Sequence, residues 1–128
     1  MIEEGHEVGN HTMSHPSMPS LSSEKIEEEI LSLSNELYGK FGVSTRLLRP
    51  PKGEYNEKVL KTAADISHRC ILWSFAYKDW LTDEQKGAEY AYNSVMPNLH
   101  NGAVLLLHAV SADNAAALDR IIKDAVNA

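Results

Sequence analysis

Short apolar segments alternate with amphipathic helical segments along the 128 residues, and this alternation constrains the fold more than any other feature. Four strands are predicted, at residues 6–10, 46–49, 70–75 and 103–107. Four helices are predicted between and after these strands. The first is introduced by residues 21–23 and ends at Gly39 and Gly42, and the others lie at residues 57–67, at residues 83–99 and from Asp113 onward. Such an order predicts a parallel sheet covered by helices, either open or closed as a barrel.

The helical segments carry their own start, stop and burial signals. Residues 1–4 resemble the tail of a helix that stops at Gly5, and Pro97 is expected to kink or restart the third helix. Asp113 is the predicted N-cap of the last helix. The predicted buried stripes are Ile26, Ile30, Leu33 and Leu37 on the first helix, and Ala117, Leu118, Ile121, Ile122 and Val126 on the last.

Composition excludes several classes of function. Twelve Lys and Arg residues against eighteen Asp and Glu residues give a net charge of -6, which argues against a nucleic-acid partner. No apolar run approaches the roughly 18–20 residues that a membrane span needs. Cys70 is the only cysteine, so no intrachain disulfide is expected, and the acidic first residues lack the apolar segment of a signal peptide.

Polar residues follow each predicted strand. His11 and His15 follow the first strand, Arg49 the second, Asp79 and Trp80 the third, and His108 the fourth. Because the carboxyl ends of parallel strands emerge on one face of an α/β fold, these residues are expected on the face where active sites lie. The pattern therefore favours an enzyme.

Each of these residues also has a plain structural interpretation. His11 and His15 could bind one cation together with a carboxylate. Because the chain has six histidines, the spacing alone slightly favours a chance pair over a pair of metal ligands. Arg49 could orient a carboxylate or lie on the surface before a proline-rich turn. Asp79 could supply a carboxylate partner, and Trp80 could supply an aromatic surface for a sugar ring. Alternatively, Trp80 could be a loop residue that only fills the core. His108 could be a general acid or a strand-end histidine bonded to backbone.

Taken together, four segments resemble motifs of the polysaccharide deacetylases, the NodB-homology domains of carbohydrate esterase family four. Gly5–Pro16 resembles the second motif of that family, Arg49–Gly53 the third, Tyr77–Trp80 the fourth and Leu106–His108 the fifth. The stretches 73–80 and 108–114 look most like the delta-lactam-biosynthetic de-N-acetylases, which act on muramic acid residues of spore-cortex peptidoglycan.

The resemblance implies a deformed (β/α) barrel and metal-assisted hydrolysis of an N-acetyl amide. It implies that His11 and His15 bind a divalent metal, with zinc as the expected ion, and that Arg49 orients the catalytic base. Asp79 would hold His108, which would protonate the leaving amine. The substrate-binding set comprises Trp80 and Leu106, which would wall the acetyl pocket, with Pro51 and Lys52. Lys52 replaces an aromatic residue of many relatives, and it either pairs with the lactyl carboxylate of muramic acid or faces solvent.

One departure from the family concerns its first motif, which supplies the base and the third metal ligand. No residue before Gly9 is assignable to it, so residues 1–128 are expected to be one partial domain, the carboxyl-terminal part of the barrel with about four βα units. We expect the chain to hydrolyse acetamides poorly or not at all.

Several consequences of this partial domain are also expected. Open barrel edges would favour a homodimer. The alternative functions are a glycan-binding pseudoenzyme and a chitin or xylan deacetylase. A full-length parent would act on polysaccharide in the cell envelope.

Overall fold

The computed structural model describes residues 1–127, and these residues fall into two compact units, residues 1–72 and residues 73–127. Each unit contains helices and short parallel strands, as the alternation predicted. None of the helices described over residues 1–127 is long and apolar enough to cross a lipid bilayer.

The first unit is a helix-covered parallel sheet. Its elements are α1 (Ser23–Phe41), β1 (Leu47–Leu48), α2 (Glu57–Asp65) and β2 (Arg69–Cys70). Strand β1 pairs in parallel with β2, with Leu47 opposite Arg69 and Leu48 opposite Cys70. Asn10 forms a parallel bridge to Leu48 on the other side of β1, so the predicted strand at 6–10 is reduced to its last residue.

Side-chain caps and a left-handed glycine define the helices of the first unit. The Ser22 hydroxyl accepts from the Lys25 amide at the start of α1, and the Asn56 side chain accepts from the Val59 amide at the start of α2. Gly42 ends α1 at φ 67°. Burial of each of the larger core side chains contributes about 1.5–3 kcal/mol to the free energy of folding. The fully buried core consists of Met18, Ile26, Ile30, Leu48, Val59 and Ala63.

The second unit repeats this arrangement with a separate sheet. Its elements are β3 (Phe75–Ala76), α3 (Ala88–Val95), β4 (Leu105–Leu106) and α4 (Ala112–Asn127). Strands β3 and β4 pair in parallel, with Phe75 opposite Leu105 and Ala76 opposite Leu106. The buried core lies between the two helices and consists of Ala91, Val95, Ala117 and Ile121.

Several predicted boundaries are wrong. The predicted strand at 70–75 is divided between β2 and β3, which belong to different sheets. Residues 1–4 form a turn, in which the Glu4 and Gly5 amides donate to the Met1 and Ile2 carbonyls. Helix α3 begins at Ala88 because Gly87, at φ 96°, breaks the helical backbone before it. Pro97 restarts the chain as a 3-10 turn over Met96–Asn98, as expected.

The last helix differs from its prediction in its cap and its buried face. The Ser111 hydroxyl accepts from the Asn114 amide, whereas Asp113 accepts from the amides of Lys86 and Gly87 in the preceding loop. Only Ala117 and Ile121 of the predicted stripe are buried. The other three members, on the adjoining strip of the helix, are exposed: Leu118, Ile122 and Val126.

Candidate functional site

The two histidines of the first unit lie in one tight loop with their rings in contact. The ring centroids of His11 and His15 are 5.0 Å apart, with an interplanar angle of 81°. The Nδ1 atom of His11 donates to the Arg49 carbonyl at 2.6 Å. This tautomer places the lone pair of the neutral His11 ring on Nε2, and a backbone carbonyl that orients a histidine in this way is a common support for metal ligands.

Strained backbone brings these rings together. Thr12 and His15 adopt φ values of 66° and 59°, a region that is unfavourable for a β-branched threonine. Buried Asn10 supports the loop through its side-chain oxygen, which accepts from the Thr12 amide at 2.8 Å. The Asn10 amide group donates to the Ile30 carbonyl at 2.8 Å and to the Ser34 hydroxyl at 2.9 Å, and so ties the loop to α1.

A carboxylate of α1 holds the other side of this loop. Glu29 accepts from the Ser14 amide at 2.8 Å and from the Ser14 hydroxyl at 2.6 Å. Burial opposes ionisation of Glu29, but the hydrogen bonds from Ser14 and Met13 outweigh it and lower the pKa of this carboxyl. The anchor is therefore an ionised carboxylate near neutral pH.

Arg49 lies at the end of β1 beside a cleft of about 300 Å³ lined by Gly9, Asn10, His11, Leu47, Arg49 and Ile71. Burial lowers the pKa of the Arg49 guanidinium, which nevertheless stays charged. Pro51 in the following turn is fully buried, whereas Lys52 is exposed at φ 57°. Pro51 therefore shapes this turn, and Lys52 projects a charge from it.

The second unit contains an Asp–His pair at the ends of its two strands. Asp79, three residues after β3, accepts at Oδ1 from the His108 Nδ1 atom at 2.6 Å. Its Oδ2 accepts from the His108 backbone amide at 2.7 Å. The Asp79 side chain is completely buried, and the His108 side chain is 31% exposed. A histidine ring held on one side by a buried carboxylate, with its other edge accessible, suits proton transfer.

Two residues that sequence reasoning missed complete this pair. The Asn114 side-chain amide donates to Asp79 Oδ2 at 2.6 Å and to the His108 carbonyl at 3.3 Å. The Tyr77 hydroxyl donates to the Asn114 side-chain oxygen. Burial, then the charges of Asp79 and Asp113, raise the pKa of Tyr77 to about 12, so the phenol remains a donor. Both residues lie in the stretches 73–80 and 108–114 that carry the family resemblance, but the sequence predicted no role for either of them.

The predicted acetyl-pocket residues lie near this pair to different degrees. The Trp80 ring meets the His108 ring edge-on at 5.5 Å between centroids, and Trp80 is 50% exposed. A half-exposed indole beside a histidine can pack against a sugar ring. Leu106 ends β4 and is partly buried.

The donor set of the first unit fits part of a metal site. Two imidazoles in contact can supply two ligands of a zinc-type centre, which usually takes three from the protein. Within residues 1–127, no group of three or more His, Cys, Asp or Glu side chains is placed to hold a metal ion. The histidines therefore fit as part of a larger ligand set.

Comparison with known proteins identifies the family of this chain. Residues 1–71 match the polysaccharide deacetylase family over more than half of the chain. The chain belongs to this family. The peptidoglycan-N-acetylmuramic acid deacetylase PdaA of Bacillus subtilis is 42% identical to it over 125 residues, which cover 97% of this chain and 48% of that protein. The chain thus spans about half the length of the curated relatives it matches.

Solved structures of this family share the fold. The structure of Bacillus subtilis PdaA, described as a family 4 carbohydrate esterase, superimposes with a TM-score of 0.93 at 40% identity, over 99% of this chain and 55% of that one. A family 4 pseudoenzyme from Bacillus anthracis gives a TM-score of 0.88 at 28% identity, over 98% of this chain and 43% of that one. Both kinds of relative, catalytic and non-catalytic, thus share this fold.

Proposed function

We propose that this chain carries the metal-binding loop and the general acid of a peptidoglycan N-deacetylase that acts on muramic acid residues. The reaction is hydrolysis of the N-acetyl amide to acetate and a free amine. The observation that carries the proposal is the Asp79–His108 pair, with a 2.6 Å hydrogen bond and a fully buried carboxylate. The likeness to the Bacillus subtilis N-acetylmuramic acid deacetylase supports this choice of substrate.

The second unit would supply the proton that the leaving group needs. When the carbon–nitrogen bond breaks, the departing amine nitrogen must be protonated, and His108 Nε2 delivers that proton. Asp79, bonded to His108 Nδ1, stabilises the imidazolium beforehand and keeps the ring oriented. Trp80, edge-on to His108, packs against the sugar or its acetyl group, and Leu106 adds apolar surface.

The first unit would hold the metal and orient the base. His11 and His15 are the ligands, and Arg49 at the end of β1 orients a carboxylate base. A divalent metal bound there, with zinc as the expected ion, would act as a Lewis acid on the acetamide carbonyl and would lower the pKa of its bound water. Because no third ligand joins the two histidines within residues 1–127, we expect metal-dependent turnover by this chain alone to be poor. Robust turnover by the purified chain would contradict this expectation.

Lys52 would bind the carboxylate of the substrate. It is exposed in the turn that follows Arg49, and its ammonium can pair with the lactyl carboxylate of a muramic acid residue that has lost its stem peptide. Lys52→Ala is expected to weaken hydrolysis of muramic substrates more than that of glucosamine substrates. Equal losses on both substrates would show that Lys52 only faces solvent.

A second candidate is a glycan-binding pseudoenzyme. Two observations favour it: no third metal ligand lies with His11 and His15 in the described residues, and a structural neighbour at 28% identity is itself a family 4 pseudoenzyme. Such a protein would bind peptidoglycan fragments without releasing acetate. Chitin and xylan are the alternative polymers, and they serve as competing substrates in the test below.

A chimera gives the sharpest test. This chain replaces the matching segment of the Bacillus subtilis N-acetylmuramic acid deacetylase, which it covers over 48% of its length. Acetate release is measured on muramic-acid-containing glycan, chitin oligomers and acetylated xylan. We expect release from the muramic substrate, at least 100-fold loss in His108→Gln, since acid–base catalysis contributes roughly that factor or more, and little loss in the control His100→Gln, an exposed histidine.

The outcomes separate the candidates. A folded chimera that binds glycan and releases no acetate supports the pseudoenzyme. Preference for chitin or xylan rejects the muramic substrate while keeping the deacetylase chemistry. Equal activity of His108→Gln and the unchanged chimera rejects His108 as the acid.

The assembly and location of the whole protein are also proposals. Each described sheet has only two parallel strands, and only the Asn10 bridge covers the outer side of β1, so other backbone groups at the sheet edges are open to another strand. We propose that in the isolated chain a second copy covers these edges, whereas in the whole protein they form part of a (β/α) barrel that acts in the cell envelope. Sedimentation at micromolar concentration tests the dimer, and a folded monomer would contradict it.

A further inference from the structure

Asn114 lies at the centre of the hydrogen-bond network around the Asp79–His108 pair. It is 6% exposed, in the first turn of α4, and its backbone amide donates to the Ser111 hydroxyl. Its side-chain nitrogen donates to Asp79 and its side-chain oxygen accepts from Tyr77. Both ends of the Asn114 amide are therefore engaged, the nitrogen by a carboxylate and the oxygen by a phenol hydroxyl.

The roles of these groups determine which way the Asn114 amide points. A carboxylate only accepts, so the NH₂ end must face Asp79. The Tyr77 hydroxyl keeps its proton, because the pKa of this phenol is raised to about 12, and it donates to the oxygen end. Swapping the two ends of the amide would set its oxygen against the Asp79 carboxylate, which disfavours the flipped arrangement.

The Asn114 amide in turn determines how the Asp79 carboxylate is shared. Oδ2 of Asp79 accepts from the Asn114 amide at 2.6 Å and from the His108 backbone amide at 2.7 Å. Its Oδ1 is left to accept from His108 Nδ1. A carboxylate held in this rotamer requires the proton of the neutral imidazole to lie on Nδ1, which leaves Nε2 as the basic atom.

We propose that Asn114 is a positioning residue for His108: together with Tyr77 it holds Asp79 in the orientation that keeps the proton of neutral His108 on Nδ1 and directs Nε2 to the substrate. The inference rests on the proposed function of His108 as the acid. It goes further because it places the control of His108 in α4 and in the Tyr77 hydroxyl. Asp113, which accepts from the Lys86 and Gly87 amides, keeps the start of α4 in place.

The experiment reads the protonation pattern of the ring directly. The 128-residue chain, labelled with ¹⁵N at histidine, is studied by long-range ¹H–¹⁵N spectroscopy at about pH 8.5, where an ordinary histidine is neutral. His108→Gln identifies the resonance. We expect His108 to be almost entirely the Nδ1–H tautomer, and Asn114→Ala to raise the Nε2–H fraction roughly ten-fold, the scale on which a hydrogen bond to a charged group shifts an equilibrium.

A milder variant and a control complete the design. Tyr77→Phe keeps the ring and the Asn114 side chain but removes the donor that orients its amide, so we expect the same change to a smaller extent. Asn93→Ala, at an exposed asparagine of α3, should leave the His108 tautomer unchanged. If Asn114→Ala does not fold, as judged by circular dichroism, Tyr77→Phe decides the question.

The readout separates this inference from the proposed function. Folded Asn114→Ala and Tyr77→Phe variants that both keep the Nδ1–H tautomer would overturn the positioning role, whatever the chain catalyses. A shifted tautomer supports that role even if His108→Gln leaves the activity of the chimera unchanged, a result that would reject only the proposed function. In an active chimera, Asn114→Ala should lower kcat at least ten-fold with KM nearly unchanged.

Discussion

Replacing Asn10 by alanine is expected to loosen the metal loop and to destabilise the first unit. The side chain is 1% exposed and makes three hydrogen bonds, at 2.8, 2.9 and 2.8 Å, to the Ile30 carbonyl, the Ser34 hydroxyl and the Thr12 amide. At about 1 kcal/mol for each net bond, Asn10→Ala should lower the free energy of unfolding by about 3 kcal/mol. With a urea dependence of roughly 1–3 kcal/mol/M, the midpoint falls by about 1–3 M.

The same substitution should act on the histidines through backbone strain. Thr12 lies at φ 66°, a conformation that costs about 1–3 kcal/mol, and its amide hydrogen bond to Asn10 offsets part of that cost. Without the bond, Thr12 can relax and move His11 away from His15. Hydrogen exchange at the Thr12 amide should accelerate, and cobalt or zinc affinity should fall.

The assay separates the two units and includes a matched control. Far-UV circular dichroism follows the whole chain, whereas tryptophan fluorescence reports only the second unit, because Trp73 and Trp80 are the two tryptophans and both belong to it. Asn35→Ala, at an exposed asparagine of α1, should change stability by less than about 0.5 kcal/mol. An Asn10→Ala chain with an unchanged Thr12 exchange rate and a midpoint shift no larger than that of Asn35→Ala would show that the Asn10 hydrogen bonds do not hold the loop.

Three further measurements test the metal loop, the buried phenol and the packing of α4. Because His11 is a proposed ligand, His11→Ala should reduce cobalt affinity in titration calorimetry by at least the roughly 10–100-fold that the loss of an outer-shell partner costs, whereas His6→Ala, at an exposed position, should not. Equal losses would place the metal elsewhere. Because the pKa of Tyr77 is raised, stability is kept below the ordinary tyrosine pKa near 10 and lost as pH rises toward 12. The urea midpoint should therefore fall over that range, and less steeply in Tyr77→Phe; parallel curves would contradict the assignment. In urea unfolding, Ile121→Ala should lower the free energy of unfolding by about 2–5 kcal/mol, and Ile122→Ala, at an exposed position, by clearly less. Equal losses would contradict the assignment of Ile121 as buried and Ile122 as exposed.

Local sequence patterns predicted the parallel α/β class, because the alternation of strands and helices depends on residues that are near neighbours along the chain. The motifs could be recognised for a similar reason, since each is a short continuous stretch. His11, Arg49, Asp79 and His108 each follow a strand or bridge residue, as the alternation indicated. The boundaries failed where backbone geometry outweighed apolar content. Gly87, at φ 96°, delays α3, and the predicted strand at 70–75 divides because its residues serve two sheets.

The last helix shows why an apolar stripe is not by itself a buried face. Ala117 and Ile121 meet α3, whereas Leu118 and Ile122, one position further round, are exposed. Periodicity shows that a helix has an apolar side about 100° wide. Which part of that side is covered depends on how α3 crosses it.

The residues that could act are visible in the sequence: two histidines at a spacing of four, an arginine before two prolines, and an aspartate and a histidine after apolar strands. The contacts that hold these residues in place depend on the folded chain. The Asn10–Ser34, Asp79–His108 and Asp79–Asn114 hydrogen bonds join residues 24, 29 and 35 positions apart. Partners at such separations are set by the packing of helices against strands, and no local pattern encodes which polar groups that packing brings within hydrogen-bond distance.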